Sequence, residues 1–520
     1  MSSNTQIQNF MKQLNSSLRR SWKFVLALII VSPFSMRAAA GDSLWSVPFV
    51  HDIYFTFSQT GYWDSLLNTH ATDLYMQCDM SIDGRAVPSV GIKTKGNSSF
   101  NNQSSKKSFK IDMNEYVSGQ DFDGIKKFNL NNGFKDPTLL REKICLDFLN
   151  NHGIDAPRCT FARVYLNGVY WGLYSLVEEV NSKFLKQHYP DNDGNLYKGD
   201  PSGDMKWYGN SPSLYFSHYS LESDTNNTSW TDLVDFINIV NNTPSANFYD
   251  SLEMHFSSWE FLYYTAAMNM FVNLDSYIGS GHNYFIYKDS TYFKFRWIAW
   301  DVNEAFGNFN MMMNMNQIQA LNYDYVNNPA NKPLTANMFS NATYHAMYIS
   351  AYCDLMQDFS NSAMDAYIDS LASMIRADVY ADTLKSFTNQ QFEDNITTAV
   401  GQTPGLKSFI SARRSSLTSQ LSAYGCWLSA EEKAASAGLL RVFPNPASTS
   451  ATILLPEGWD AGTATLQLFD ATGRAAAVEA DVIASSQLQF STSGLTNGIY
   501  FAVVTSADGN VGRCSVSIYR

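Results

Sequence analysis

The chain has 520 residues, too many for one compact core and enough for two or three domains. Hydrophobic residues make up 45% and aromatics 14%, which excludes a disordered chain, and a formal net charge of -12 excludes the basic footprint of a nucleic-acid binder. The six cysteines form no CxxC pair and no histidine falls at zinc-finger spacing, so no structural zinc site is expected; the thiols read as mostly buried and free, with room for one bridge.

In chain order, Arg19, Arg20 and Lys23 precede the apolar run 24–31, and Pro33 and Ala38-Ala39-Ala40 follow it. That is the order of a secretory signal peptide, giving 1–40 as a leader, with Met11 as an alternative start. The run is too short to cross a bilayer, which needs ~20 apolar residues. Residues 41–428 carry mixed strand and helix patterns. Lys93 to Lys95 reads as a strand entering the Gly96-Asn97-Ser98-Ser99 turn, Lys106 to Met113 as a second strand, and Leu139 to Asn151 as a helix with Leu140, Ile144, Phe148 and Leu149 on one side. Phe161–Leu166 and Val169–Val177 form a hairpin around Asn167-Gly168, followed by a helix over 178–187. Trp259 to Asn273 is apolar and helical, Asn283–Lys288 and Tyr292–Trp300 make another hairpin, and helices dominate 341–421. The small, unpatterned stretch 429–438 reads as a linker, and 439–520 shows short alternating strands at 451–455, 465–469, 499–504 and 513–519, the spacing of a small β-sandwich.

The order strand, turn, strand, helix, hairpin, helices, loop, hairpin, Asp is that of protein kinases. Phosphoryl transfer needs an orienting carboxylate, metal ligands and a cation on the phosphates. Asp275 and Asn283 sit on one loop, and Asp301 follows a hairpin in Trp300-Asp301-Val302-Asn303. Hard oxygen ligands of this kind suit magnesium. The same three residues also fit turn-capping roles, which Asp and Asn favour. The Met/Asn-rich run 310–316 reads as a loop, His282 as a packed histidine beside the Asp275 loop, and Arg413-Arg414 as surface charge.

The stretches Asn273-Leu274-Asp275, Gly281-His282-Asn283-Tyr284, Trp297-Ile298-Ala299-Trp300-Asp301 and Phe306-Gly307 resemble the CotH kinase family. Lys95-Gly96-Asn97-Ser98-Ser99, Lys106-Lys107-Ser108-Phe109, Leu140-Arg141-Glu142, Trp171-Gly172-Leu173-Tyr174 and Gly194-Asn195-Leu196-Tyr197-Lys198 match it as well, so the likeness runs over much of 45–425. The resemblance implies an α+β, bilobal, atypical kinase fold, with ATP and Mg2+ or Mn2+ used to phosphorylate protein hydroxyls, Ser or Thr first. By motif, Asp275 is the catalytic Asp, and Asn283, Asp301 and Asn303 are the metal ligands. Lys106 is the expected phosphate cation with Lys110 as alternative, and Glu142 its partner on the following helix. Glu178 is a hinge or structural carboxylate. Lys95, Ser98 and Ser99 form the phosphate turn, the serines through backbone N–H groups. Two departures stand out: the family turn commonly opens with Arg where Lys95 stands, and its second acid is here Asn303. A catalytically weak adhesin or scaffold with the same fold is the alternative.

Val442-Phe443-Pro444-Asn445-Pro446-Ala447, Phe469-Asp470-Ala471-Thr472-Gly473-Arg474 and Leu495-Thr496-Asn497-Gly498-Ile499-Tyr500 resemble a type IX secretion sorting domain. That likeness implies an Ig-like sandwich over 439–520, a Bacteroidetes-type cell, the type IX machinery as partner, and passage through the periplasm to release or surface attachment. The protein acceptor stays unnamed, and neither nucleic acid nor a mature membrane span is expected.

Overall fold

The computed structural model describes residues 40–45, 49–72, 74–102, 104–223, 229–424, 426, 440–456, 459–470, 474–507 and 511–519. The expected leader up to Ala39, the linker 429–438 and the turn residues 471–473 lie outside the described residues.

Seven strands close into a barrel: β1 (Val50–Thr56), β2 (Met76–Ile82), β3 (Arg85–Lys95), β4 (Ser108–Asp112), β5 (Lys127–Asn131), β6 (Cys159–Leu166) and β7 (Val169–Glu178). Their order is β1-β2-β3-β4-β5-β7-β6, and the parallel pairing of β1 with β6 seals the ring. Closure removes both sheet edges. The barrel encloses its own core of Ile53, Phe55, Ile92, Phe109, Phe128 and Leu176. The β6–β7 hairpin turns as expected, with Asn167 at φ 47° and Gly168 at φ 79°, the left-handed pair of a type I′ turn. Strand β7 runs on through Glu178, and the helix expected from 178 begins later, as Ser182–His188. The Asn181 side chain caps it, accepting from Lys183 N at 2.8 Å and Phe184 N at 3.3 Å.

Helix α1 (Arg141–Asn151) leaves the barrel and packs into a second core, shared with α2 (Ser258–Met270), α3 (Ala342–Asp358), α4 (Asn361–Ala381) and α5 (Leu406–Leu421). Almost every residue of α2 is buried, which explains a sequence apolar all round rather than striped. Beside it lies a four-stranded sheet ordered β11-β10-β8-β9, from β8 (Leu196–Gly199), β9 (Tyr219–Leu221), β10 (Tyr284–Asp289) and β11 (Lys294–Ala299). Cys353 on α3 is bridged to Cys426, past the end of α5, while Cys78, Cys145 and Cys159 are buried free thiols.

Residues 441–518 form two antiparallel four-stranded sheets, β12-β13-β17-β16 and β15-β14-β18-β19. Their strands are β12 (Arg441–Phe443), β13 (Ser450–Leu454), β14 (Thr465–Asp470), β15 (Ala475–Ala476), β16 (Ala480–Ala484), β17 (Gln487–Ser491), β18 (Gly498–Thr505) and β19 (Val511–Ile518). The sheets share a core of Ile453, Leu488, Phe490, Leu468, Ala502 and Val516. Four of these strands were legible; the rest are short, or read as polar between turn residues.

Arg413 departs from expectation. It is fully buried, and its guanidinium donates to Asn269 Oδ1 at 2.7 Å and Asn269 O at 3.1 Å. Asn269 and Arg413 satisfy each other inside the core, so α5 holds the end of α2 from which the Asp275 loop departs. Arg414 donates to the carbonyls of Met356 and Phe359, both at 2.6 Å.

Candidate active site

Strand β3 ends at Lys95, and the chain reverses through Gly96 at φ 91°. A side chain at Gly96 would meet the Ser99 hydroxyl, so the turn requires glycine twice over. The turn closes on Asn97 O, which accepts from Phe100 N at 3.2 Å and Asn101 N at 3.1 Å. Among the described residues no hydrogen bond takes the N–H groups of Ser98 or Ser99. Ser99 faces a polar cleft whose walls include Lys95, Asn131, Glu142, Asp301 and Asn303; Ser98 is exposed.

Lys95 Nζ donates to Asn129 Oδ1 at 3.0 Å and Asn131 Oδ1 at 3.2 Å, and stands 5.3 Å from the centre of the Trp300 ring. Burial pushes its pKa down, while Asp301, Glu179 and Glu142 pull it back up. Glu142, in the first turn of α1, accepts from Asn131 Nδ2 at 2.7 Å. Burial and the nearby Asp301 charge raise it to about 8. Arg141 fixes that helix turn: its buried guanidinium bonds Asp136, Asn395 Oδ1 and the Pro404 carbonyl.

Asp301 and Asn303, just past the β10–β11 hairpin, also line this cleft, and the loop after α2 supplies charges that act on Asp301. Asp275 Oδ1 lies 2.8 Å from His282 Nε2, and Asn283 Nδ2 donates to Asp275 O at 2.7 Å and Oδ2 at 3.1 Å. The hairpin delivers Asp301 two residues beyond the end of β11. Burial raises the Asp301 pKa; Lys95 opposes this and the Asp275 charge adds to it, so the two carboxylates feel each other. Val272, Asn283, Asp301 and Phe306 all have positive φ, at 46°, 60°, 49° and 63°. Such residues cost about 1–3 kcal/mol each and persist where the surroundings over-determine them. Two of the three Asx residues expected to bind metal, Asn283 and Asp301, are held this way, as is the β-branched Val272 that opens the loop. Glu304 accepts from Lys135 Nζ at 3.0 Å, and burial pushes it up to about 7.

Asp301 and Asn303 line the cleft, and Asp275, bonded to Asn283, lies near enough for its charge to act on Asp301; the carboxylates and carboxamides of these four are oxygen donors, a set suited to a hard divalent cation. With its nitrogen committed to Asp275, Asn283 keeps its carbonyl oxygen. Among the described residues no group of three His, Cys, Asp or Glu side chains is gathered for a metal, so such a site would rest on two carboxylates aided by amides.

Three expected residues lie elsewhere. Lys106 is not in the cleft: its ammonium is 2.6 Å from Asp382 Oδ2, and the two side chains are 2% and 1% exposed. Its ion pair is made at the junction of barrel and helical core, and among the expected lysines it is Lys95 that lines the cleft. Lys110 pairs with Glu179 at 2.6 Å beside that cleft. Glu178 holds Arg158 at 2.6 Å and 2.9 Å, a barrel-rim tie rather than a cleft residue. Glu142 accordingly faces Lys95, not Lys106. Sequence reading missed Asn129, Asn131 and Glu179. Asn129 and Asn131 alternate with apolar residues in Phe128-Asn129-Leu130-Asn131, a polar face on an inner strand that could have signalled them.

Residues 92–417 match the model of the family described as CotH kinase protein, and 441–514 match the secretion system C-terminal sorting domain. The inner spore coat protein H of Bacillus subtilis (strain 168) is 26% identical over 294 residues, 55% of this chain and 77% of that protein. The twitchin kinase region of C. elegans aligns over 79% of this chain and 71% of its own, at 9% identity and a TM-score of 0.23. CopC from Methylosinus trichosporium OB3b aligns over 16% of this chain and 90% of its own, at 14% identity and a TM-score of 0.13. Scores this low carry nothing on fold or chemistry. The sorting domain marks the chain for export by type IX secretion, and no helix among the described residues is long and apolar enough to cross a membrane.

Proposed function

The chain belongs to the CotH kinase family, and on that premise we propose that it is an exported protein kinase whose cleft binds ATP with Mg2+ or Mn2+ and phosphorylates a protein hydroxyl, Ser or Thr first. The barrel acts as the small lobe of a bilobal kinase-like fold and the helical core as the large one. The observation that carries this reading is the surroundings of Lys95: one half-buried ammonium, at the end of a glycine turn, in the combined field of Asp301, Glu179 and Glu142.

Each residue then has a role its environment supports. Lys95 binds the phosphates, steadied by Asn129 and Asn131. Glu142 keeps Lys95 aimed. The free N–H groups of Ser98 and Ser99 cover phosphate oxygens. Asp301, Asn283 and Asn303 would hold the divalent cation, which neutralises charge on the phosphates. Asp275, its carboxylate oriented by His282 and Asn283, takes the proton of the acceptor hydroxyl. The acceptor oxygen forms a bond to the γ-phosphorus as the bond to the β–γ bridging oxygen breaks, and ADP leaves. Export would run through the periplasm of a Bacteroidetes-type cell to release or surface attachment.

The test is γ-labelled phosphate transfer by the purified chain with Mg2+ or Mn2+, beside Asp301→Asn and Asp275→Ala. Label lost in both variants supports the assignment; turnover unchanged in Asp301→Asn overturns it. Asn303, standing where the family often carries an acid, favours a second reading: a kinase-fold adhesin or scaffold without chemistry. A thermal shift with ATP and Mg2+ separates the two, since a ligand bound only by the folded state raises Tm. No shift and no label would leave the adhesin.

A further inference from the structure

Lys106 and Lys107 are adjacent and both buried, but their ammonium groups go to different places. Lys106 reaches Asp382, just past the end of α4. Lys107 Nζ returns to the glycine turn, where it donates to Phe100 O at 2.6 Å and Asn102 O at 2.8 Å. It also stands 5.2 Å from the centre of the Phe100 ring. Among the described residues no other donor reaches these two carbonyls.

A backbone site for an anion needs N–H groups open to the ligand and carbonyls committed elsewhere. The turn after Lys95 meets that condition. Asn97 O is taken by the N–H groups of Phe100 and Asn101, and Ser99 O by Asn102 Nδ2. In a trans peptide the N–H points opposite to the C=O, so holding Asn97 O directs the Ser98 N–H the other way. Lys107 then holds the carbonyls of Phe100 and Asn102, which follow the two serines in the chain.

The rest of the turn is anchored around that lysine. The Phe100 ring stacks on His70, with 3.4 Å between ring centres and 4° between planes, and His70 Nδ1 lies 3.0 Å from Thr94 Oγ1 on β3. Asn102 Oδ1 accepts from Ser104 N at 2.7 Å, and Ser104 Oγ donates to Leu384 O at 3.1 Å, beyond α4. The turn is therefore tied to the barrel on one side and to the helical core on the other. Lys107 is the charged donor in that set of ties.

We propose that Lys107 is a positioning residue for the phosphate turn: by holding Phe100 O and Asn102 O, it keeps the N–H groups of Ser98 and Ser99 open to nucleotide phosphate. The role rests on the kinase reading above, and it extends that reading to a residue outside the cleft. The test compares the full chain with Lys107→Met and Lys107→Arg by hydrogen exchange over residues 97–102 and by ATP kinetics with Mg2+. In Lys107→Met, exchange there should speed up about tenfold and KM for ATP should rise about tenfold, with kcat within about twofold of the parent. Lys107→Arg, which keeps a charged donor, should recover most of both effects. A purely structural loss would instead lower kcat with the folded fraction and leave KM unchanged. An unchanged KM in Lys107→Met overturns the proposal, as does a raised KM without faster exchange over the turn. A parent chain that neither binds nor turns over ATP overturns the kinase reading, and this role with it; a parent that does both, beside an unaltered Lys107→Met, overturns this role alone.

Discussion

Lys106 Nζ lies 2.6 Å from Asp382 Oδ2, joining residues 276 apart in the chain with both side chains out of water. Asp382 follows the end of α4, and it also accepts from the backbone N–H groups of Leu173 at 3.1 Å, Leu384 at 2.9 Å and Lys385 at 3.0 Å. A carboxylate from the helical core is thereby plugged into barrel strand β7. Gly172 leaves the room for it, since a Cβ there would strike the Asp382 carboxyl group.

Two lysines near each other in sequence should therefore fail in opposite ways. Lys106→Met strands a buried carboxylate, a loss of about 3–5 kcal/mol that urea unfolding would read. Lys95→Met should leave the unfolding midpoint near that of the parent and cut phosphoryl transfer by about 100-fold or more, the scale for losing one donor to developing charge. A destabilised Lys95→Met beside an unaffected Lys106→Met would reverse the assignment.

What the sequence made legible is what lies close in the chain. Gly96, the Asn167-Gly168 turn and the hairpin leading to Asp301 each carry a local signal, set by backbone conformation or period-2 alternation. The choice between Lys95 and Lys106 did not, because it turns on Asp382, which no local pattern links to the barrel. Ring closure through β1 and β6 was hidden for the same reason, since parallel pairing leaves no turn to read. Arg413 looked like surface charge because its partner, Asn269, is 144 residues away. Asp275, Asn283 and Asp301 were named by motif, and the hydrogen bond from His282 to the Asp275 carboxylate is what three dimensions add.

The Cys353–Cys426 bridge closes a loop with a sequence separation of 73. It ties α3 to the end of α5 and so to the buttress that Arg413 provides under the Asp275 loop. By the loop-entropy estimate such a bridge contributes about 4 kcal/mol. Reduction, or the Cys353→Ser/Cys426→Ser pair, should lower Tm by several degrees; an unchanged melt under full reduction would show that the bridge adds nothing.

Stability should fall as pH rises through neutrality. Burial lifts Glu142 to about 8 and both Glu260 and Glu304 to about 7, all above the ordinary glutamate value of 4.5. His152 and His282 are raised too: burial lowers both, but the hydrogen bonds to Asp358 and Asp275 outweigh it. Between about pH 4.5 and pH 8 the folded chain therefore binds more protons than the unfolded one, and unfolding free energy declines with pH. The contribution is whole below the unfolded pKa values and is lost as pH passes the folded ones. Glu393, held low by Arg376, acts in the other direction only below this window. Melts from about pH 5 to about pH 9 should show a falling Tm, flattened in Glu142→Gln. A Tm that climbs toward pH 9 would contradict the burial of these carboxyls.

Asn303 offers a gain-of-function test of the cation site. It lines the same cleft as Asp301 and Glu142, and an amide oxygen there neutralises less of a divalent cation than a carboxylate would. Asn303→Asp adds a negative charge to a site that Lys95 already serves with one positive charge. If Asn303 is a ligand, Mn2+ affinity should rise about tenfold, a gain of about 1.4 kcal/mol, read from the electron paramagnetic resonance signal of free Mn2+ with and without ATP. Without nucleotide phosphates to share the cation, the gain should be larger, because the protein then supplies more of the neutralising charge. Unchanged Mn2+ affinity in Asn303→Asp, in a protein that still melts cooperatively, would remove this position from the ligand set and leave the site to Asp301 and Asn283.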